Sequence, residues 1–126
     1  MTKFALITGG ARRIGRAIAI ALAKNGYDIM IHYSYSQAEA AGLVSKLKDY
    51  GVNASSIKAN LLYDAEISTI IEKTIQKMGK PLTLLVNNAS IFENDNLRTI
   101  SLESWDRHFF TNLKAPVFLS KEFSKQ

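Results

Sequence analysis

One short segment concentrates the residues most able to do chemistry: Thr8-Gly9-Gly10-Ala11-Arg12-Arg13-Ile14-Gly15. Between a strand and a helix, such a turn gathers backbone N–H groups at the positive end of the helix, where a diphosphate binds. Gly9 lets the chain turn sharply. Gly15, in the first helical turn, lets backbone or a ligand approach closely. The two end glycines are six positions apart, not the five of G-x-G-x-x-G. Other reactive groups are scarce. There are no cysteines, which excludes disulfides, thiolate metal sites and cysteine nucleophiles. His32 and His108 stand far apart and outside any metal-binding motif, so no metal site is expected.

The elements around the turn follow from hydrophobic period. Residues 3–8 form a short apolar run. Ile14, Ala17, Ile18, Ala21 and Leu22 then fall on one helical face, and Asn25-Gly26 ends that helix. Tyr27 to Tyr33 is the second strand. Ser36-x-x-Glu39 reads as a capping box for a helix bearing Ala40, Leu43, Val44 and Leu47. Ala54 to Ala59 is a third strand. Asp64 is placed to cap a third helix bearing Ile67, Ile70, Ile71, Ile75 and Met78, which Gly79-Lys80-Pro81 stops. Leu82 to Val86 is a fourth strand. Residues 102–123 are helical, with Ser101 as cap and a kink at Pro116. Apolar strands alternating with amphipathic helices imply an α/β doubly wound parallel sheet of the Rossmann type.

The chain has 126 residues, of which 47% are hydrophobic and 21% charged, so residues 1–126 form one domain rather than two. A disordered or low-complexity chain is excluded. A net charge of +5 admits a phosphate-bearing partner, but no aromatic-interleaved basic stripe supports nucleic-acid binding. No apolar run reaches the ~18 residues of a membrane span, and no signal-peptide pattern opens the chain. A cytoplasmic protein is expected.

Three motifs in order carry a family resemblance. T-G-G-A-R-R-I-G-R resembles the T-G-x-x-x-G-x-G turn of the short-chain dehydrogenases/reductases, with Arg13 at the middle glycine, as in its pteridine-reductase-like branch. Asn87-Asn88-Ala89-Ser90 resembles the N-N-A-G motif after the fourth strand. Asn112, in Thr111-Asn112-Leu113-Lys114-Ala115-Pro116, matches the active-site asparagine.

The resemblance implies a dinucleotide site of Gly9, Arg12, Arg13, Ile14, Gly15, His32, Tyr33, Ser34, Asn60, Leu61, Asn88 and Ala89. Sites for NAD usually carry Asp or Glu at the end of the second strand, whereas His32-Tyr33-Ser34-Tyr35-Ser36 has no carboxylate. A 2′-phosphate would meet hydroxyls, His32, Arg12 and Arg13, which favours NADP(H) over NAD(H). Arg16 reads as a solvent-facing residue. Asn60 stands where an aspartate faces the adenine, and its amide oxygen can also accept. Asn87 is expected to bond across backbone groups at the sheet edge. Ser90 and Phe92 would line the substrate site, with Phe92 alternatively a loop anchor in the core. Trp105, Phe109 and Phe110 read as packing residues, although the long helix is often a subunit interface in the family.

The implied activity is reduction of a carbonyl or imine, with a pterin competing against small or acyl-chain ketones. Its proton donor would be a tyrosine four residues before a lysine. The five tyrosines, at 27, 33, 35, 50 and 63, are followed at that spacing by Ile31, Gln37, Glu39, Ala54 and Ile67. Of the catalytic set only Asn112 is present. The sequence therefore reads as an incomplete dinucleotide-binding domain, truncated after the fourth strand and its long helix, with little or no activity alone. The alternatives are a non-catalytic nucleotide-binding or interaction module, half of a split enzyme completed by a C-terminal half, and a remnant. A strand order of 3-2-1-4 would leave residues 82–86 at an edge and invite oligomerisation or a partner strand.

Overall fold

The apolar runs become the four strands of one parallel sheet. The structure is a computed structural model and describes residues 2–126. The strands are β1 (Phe4–Ile7), β2 (Asp28–Tyr33), β3 (Ala54–Lys58) and β4 (Leu84–Val86). Between them run helices α1 (Arg13–Lys24), α2 (Gln37–Lys48) and α3 (Asp64–Met78). The chain then continues through α4 (Leu102–Phe109), a π turn (Phe110–Lys114) and α5 (Ala115–Ser124). The sheet order is β3-β2-β1-β4, with Phe4 beside Asp28 and Ala5 beside Leu84.

Alternation along β1 divides the core. Phe4 and Leu6 face Ile67, Ile70 and Ile71 of α3 and Leu119 of α5. Ala5 and Ile7 face Ala19 and Ala23 of α1 and Leu43 and Leu47 of α2. Each fully buried Leu, Ile or Phe contributes about 2–3 kcal/mol of transfer free energy. The sheet is therefore covered on both sides where β1 runs. β4 is only half-buried, and among the described residues β1 is its sole partner strand.

Several local expectations are corrected. The fully buried stripe of α1 is Gly15, Ala19 and Ala23; of the expected face, Ile18 and Leu22 pack partly buried against the core, while Ile14 is 70% exposed and Ala17 and Ala21 lie outward. Small residues win that face because they let α1 lie close to the strands. Ser36 is the N-cap of α2 but makes no capping bond, its backbone lying outside the extended conformation that aims a cap side chain. Asp64 is the first residue of α3 rather than its cap, and its carboxylate pairs with Lys114 at 2.6 Å. Ser101 does cap α4, its Oγ accepting the Ser104 N–H at 3.0 Å. The expected kink at Pro116 takes the form of the π turn just before it. Proline has no N–H for the Asn112 carbonyl four residues back, and its ring crowds that group, so the ladder widens there.

Trp105 and Phe109 are not core residues. They stack on each other with centroids 4.5 Å apart on a largely exposed stripe that also carries Leu102, Leu113 and Val117.

An ion pair closes the end of the sheet away from the turn. Lys80 donates to Asp28, which also accepts the Asn53 N–H at 2.8 Å. Burial works to raise the Asp28 pKa, but the donors outweigh it, and the net shift is downward from 3.8. A carboxyl lowered in the folded state contributes fully above its unfolded pKa, and that contribution is lost as pH falls through the folded one. Melting temperature should thus decline below about pH 4, and Asp28→Asn should flatten part of that decline. An identical acid limb in the variant would assign the effect to other carboxylates.

Candidate functional site

The C-terminal ends of the strands deliver the chemistry-bearing residues to one side. β1 runs directly into the glycine turn. Gly9 has φ +59, which a side chain disfavours. Its α-carbon passes so near the segment after β4 that an added Cβ would lie 3.0 Å from the Ala89 α-carbon. Gly15 is tighter still, with an added Cβ 2.3 Å from the Gly9 carbonyl oxygen and 2.6 Å from Asn88 Nδ2. The sequence expectation of close approach at Gly15 thus refers to the protein's own backbone. Arg13 holds φ +53, the left-handed conformation that the middle glycine of such turns takes without strain.

Side chains from neighbouring strands hold the turn. Asn88 Nδ2 donates to the Thr8 and Gly9 carbonyls at 3.0 and 3.1 Å. Thr8 Oγ1 accepts the N–H groups of Asn88 and Ala89 at 3.0 and 2.9 Å. The bracing amide expected of Asn87 therefore belongs to Asn88. Asn87 instead reaches Ser120 on α5 at 3.2 Å, because successive side chains leaving a strand point to opposite faces.

His32 also differs from its expected role. It is 2% exposed, its Nδ1 accepts the Gly9 N–H at 3.0 Å, and its Nε2 meets the Ala59 carbonyl at 2.8 Å. Both ring nitrogens are occupied, so the ring braces the turn instead of offering a cation to a phosphate. Burial holds its pKa below the ordinary 6.5, against the opposing pull of the Ala59 carbonyl and Glu66.

These groups border one cavity of about 720 Å³. Gly9, Arg12, Arg13 and Ile14 form its turn side, and His32 and Ser34 come from the end of β2. Asn60 and Leu61 follow β3, and Asn88, Ala89 and Ser90 follow β4. Asn60 Oδ1 already accepts the Leu62 N–H at 2.9 Å, leaving its second lone pair. Arg12, Arg13 and Arg16 also border a shallower groove with Glu39 between α1 and α2. Among the described residues, none of these three arginines is in an ion pair. The N-terminus of α1 has no side-chain cap and no acid in its first turn, so its amides are open to an anion.

Four predicted site residues lie off the cavity wall. Gly15 is packed beneath the turn, and Tyr33 is half-buried outside the wall. Phe92 is 87% exposed, neither lining the cavity nor anchored in the core, because the segment that carries it runs over the surface. Asn112 sits on the π turn, where its amide accepts the Ile91 N–H at 2.8 Å and donates to the Ile91 carbonyl at 2.9 Å.

Other wall residues escaped the sequence reading. Glu93 and Arg107 form a two-pronged pair, both bonds 2.7 Å, on the cavity wall. His108 adds to that fastening by accepting the Glu93 N–H at 3.0 Å. No spacing rule links positions 93 and 107. Thr111 and Tyr35 also line the wall, each beside a residue the motifs had marked.

Residues 3–126 match the family model described as short chain dehydrogenase. A 3-oxoacyl-[acyl-carrier-protein] reductase FabG of Staphylococcus aureus is 39% identical over 114 residues, covering 90% of this chain and 46% of its own. The L-rhamnose 1-dehydrogenase (NADP(+)) of Thermoplasma acidophilum is 35% identical over 123 residues, covering 98% and 48%. Among solved structures, FolM alternative dihydrofolate reductase 1 from Brucella canis, complexed with NADP, superposes with TM-score 0.90 at 37% identity. It covers 98% of this chain and 49% of its own. A short chain dehydrogenase from Burkholderia cenocepacia in complex with NADP gives TM-score 0.94 at 32% identity, covering 98% and 50%. The chain spans about half the length of the curated relatives it matches.

Proposed function

Because this chain belongs to the short-chain dehydrogenase family, we propose that it forms the dinucleotide-binding part of an NADP(H)-dependent reductase. The observation that carries the reading is the uncapped N-terminus of α1 opening beside Arg12 and Arg13. The first-turn amides and Gly9 would receive the diphosphate. Arg12, Arg13 and Ser34 would take the 2′-phosphate, with no carboxylate at the end of β2 to repel it. Asn60 would meet the adenine and Ala89 the ribose. When bound, the nicotinamide supplies hydride chemistry.

For the substrate side, we assign Ser90 to the wall and Asn112 to holding the Ile91 segment in place. Reduction of a carbonyl or imine is the proposed class. The FolM relative supports a pterin, and the FabG relatives support a 3-oxoacyl chain. By the family resemblance the proton donor would be a tyrosine four residues before a lysine, a pair that residues 1–126 do not contain. We therefore assign the chain little turnover by itself. Its proposed partners are a second copy on the exposed stripe of α4 and α5, or a polypeptide that pairs with β4. Among the described residues no helix is long and apolar enough to cross a membrane.

Arg13→Gly tests the cofactor assignment. Relief of backbone strain, about 1 kcal/mol, is offset by the extra chain entropy of glycine, about 0.5–1 kcal/mol. The melting temperature should shift by under about 3 °C. NADPH affinity should fall about tenfold, with NADH affinity nearly unchanged. Calorimetric titration with both dinucleotides measures this. Failure of the unaltered chain to bind either one would defeat the proposal.

A further inference from the structure

The His32 ring has two hydrogen-bond partners whose chemistry leaves no choice of tautomer. A backbone N–H can only donate, so Nδ1, 3.0 Å from the Gly9 nitrogen, carries no proton. A carbonyl can only accept, so Nε2, 2.8 Å from the Ala59 oxygen, carries the proton. The ring therefore spans from β2 to the glycine turn on one side and to the end of β3 on the other. Gly10 is tied to the same residue, its N–H donating to the His32 carbonyl at 3.1 Å. Gly9 is the residue whose left-handed backbone aims the turn.

We propose that His32 is the positioning residue of the dinucleotide turn: the neutral ring holds the Gly9 N–H, and a second proton on the ring releases the turn and weakens dinucleotide binding. A proton on Nδ1 would face the Gly9 N–H donor to donor, and the two groups cannot both stay in place. The ring is desolvated, which opposes that second proton and keeps the brace closed near neutrality. Among charged neighbours, Glu66 on α3 favours the protonated ring. Arg12 and Arg13 share the cavity wall with it, and Lys58 ends β3. The binding part of this inference rests on the dinucleotide reading above, whereas the brace itself does not.

The probe is ADP-ribose, which has the diphosphate but no 2′-phosphate to titrate between pH 5 and 8. Its affinity for the full chain, measured by calorimetry, should fall about three- to tenfold from pH 7.5 to 5. His32→Gln keeps one acceptor and one donor and should bind with little dependence on pH. His32→Asn serves if that variant does not fold. In ligand-free protein, nuclear magnetic resonance should show the Gly9 amide moving in step with the His32 ring, which has only one other histidine, His108, to be distinguished from. A Gly9 amide that ignores the ring overturns the inference, as does a His32→Gln profile matching the unaltered chain. A ring that stays neutral down to acid unfolding, with flat affinity, also overturns it. If ADP-ribose never binds yet the amide follows the ring, the brace stands, its claimed effect on binding is overturned, and the dinucleotide reading is decided separately by the NADPH and NADH titrations.

Discussion

Gly15→Ala should destabilise the chain by about 3 kcal/mol or more and abolish dinucleotide binding. In an ordinary helical position alanine would gain up to about 1 kcal/mol over glycine. Here the new methyl would sit 2.3 Å from the Gly9 carbonyl oxygen, 2.6 Å from Asn88 Nδ2 and 2.8 Å from the Gly10 α-carbon. Two of those atoms are backbone and the third is the amide that braces the turn, so none can swing aside cheaply. Relief requires α1 to move away from the turn, which takes its first-turn amides with it. Gly42, exposed in the middle of α2, provides the contrast, since nothing lies within 4 Å of its added Cβ. Gly42→Ala should stabilise by about 0.5–1 kcal/mol. Thermal melts of the two variants should therefore move in opposite directions. Equal shifts would mean that the approach at Gly15 is looser than the geometry states.

Thr8→Val should cost roughly 2 kcal/mol, a fall in melting temperature of roughly 8 °C. The substitution keeps the shape and removes one oxygen from a residue that is 1% exposed. That oxygen accepts two backbone N–H groups, from Asn88 and Ala89, and its hydroxyl lies 3.4 Å from the Val86 carbonyl. Without it the Ala89 N–H is stranded in a part-buried seam, at about 1–3 kcal/mol, while the Asn88 N–H keeps only its bond to the Val86 carbonyl at 3.0 Å. Thr8→Ser retains the acceptor and should lose only about 1 kcal/mol, the worth of a buried methyl group. If valine and serine proved equally costly, packing rather than hydrogen bonding would hold the β1–β4 seam.

Both predictions concern the seam where the glycine turn meets the segment after β4. Thr8 to Gly15 and Asn87 to Ser90 are visible as motifs because a tight turn restricts which residues fit it. Which of Asn87 and Asn88 braces that turn was not visible, since it depends on the register at which β4 leaves the sheet. His32 looked like a phosphate ligand because its position beside Tyr33 and Ser34 is at the ligand end of β2. Its burial, and the arrival of Ala59 and Gly9 at its two nitrogens, required β1, β2 and β3 to be assembled. Part of the α1 face differs for a similar reason, although Ile18 and Leu22 do pack against the core. A count of large apolar residues picks Ile14, whereas close approach to the sheet picks Gly15, Ala19 and Ala23.

Sequence alone determined the order of strands and helices, the position of the glycine turn and the absence of a Tyr-x-x-x-Lys pair. Those properties are set by neighbours within a few residues, where hydrophobic period and turn chemistry act. Tertiary structure decided the tautomer of His32, the exposure of Phe92 and the meeting of Glu93 with Arg107. Each depends on groups brought together from different elements, and the packing of the sheet and helices sets which atoms meet.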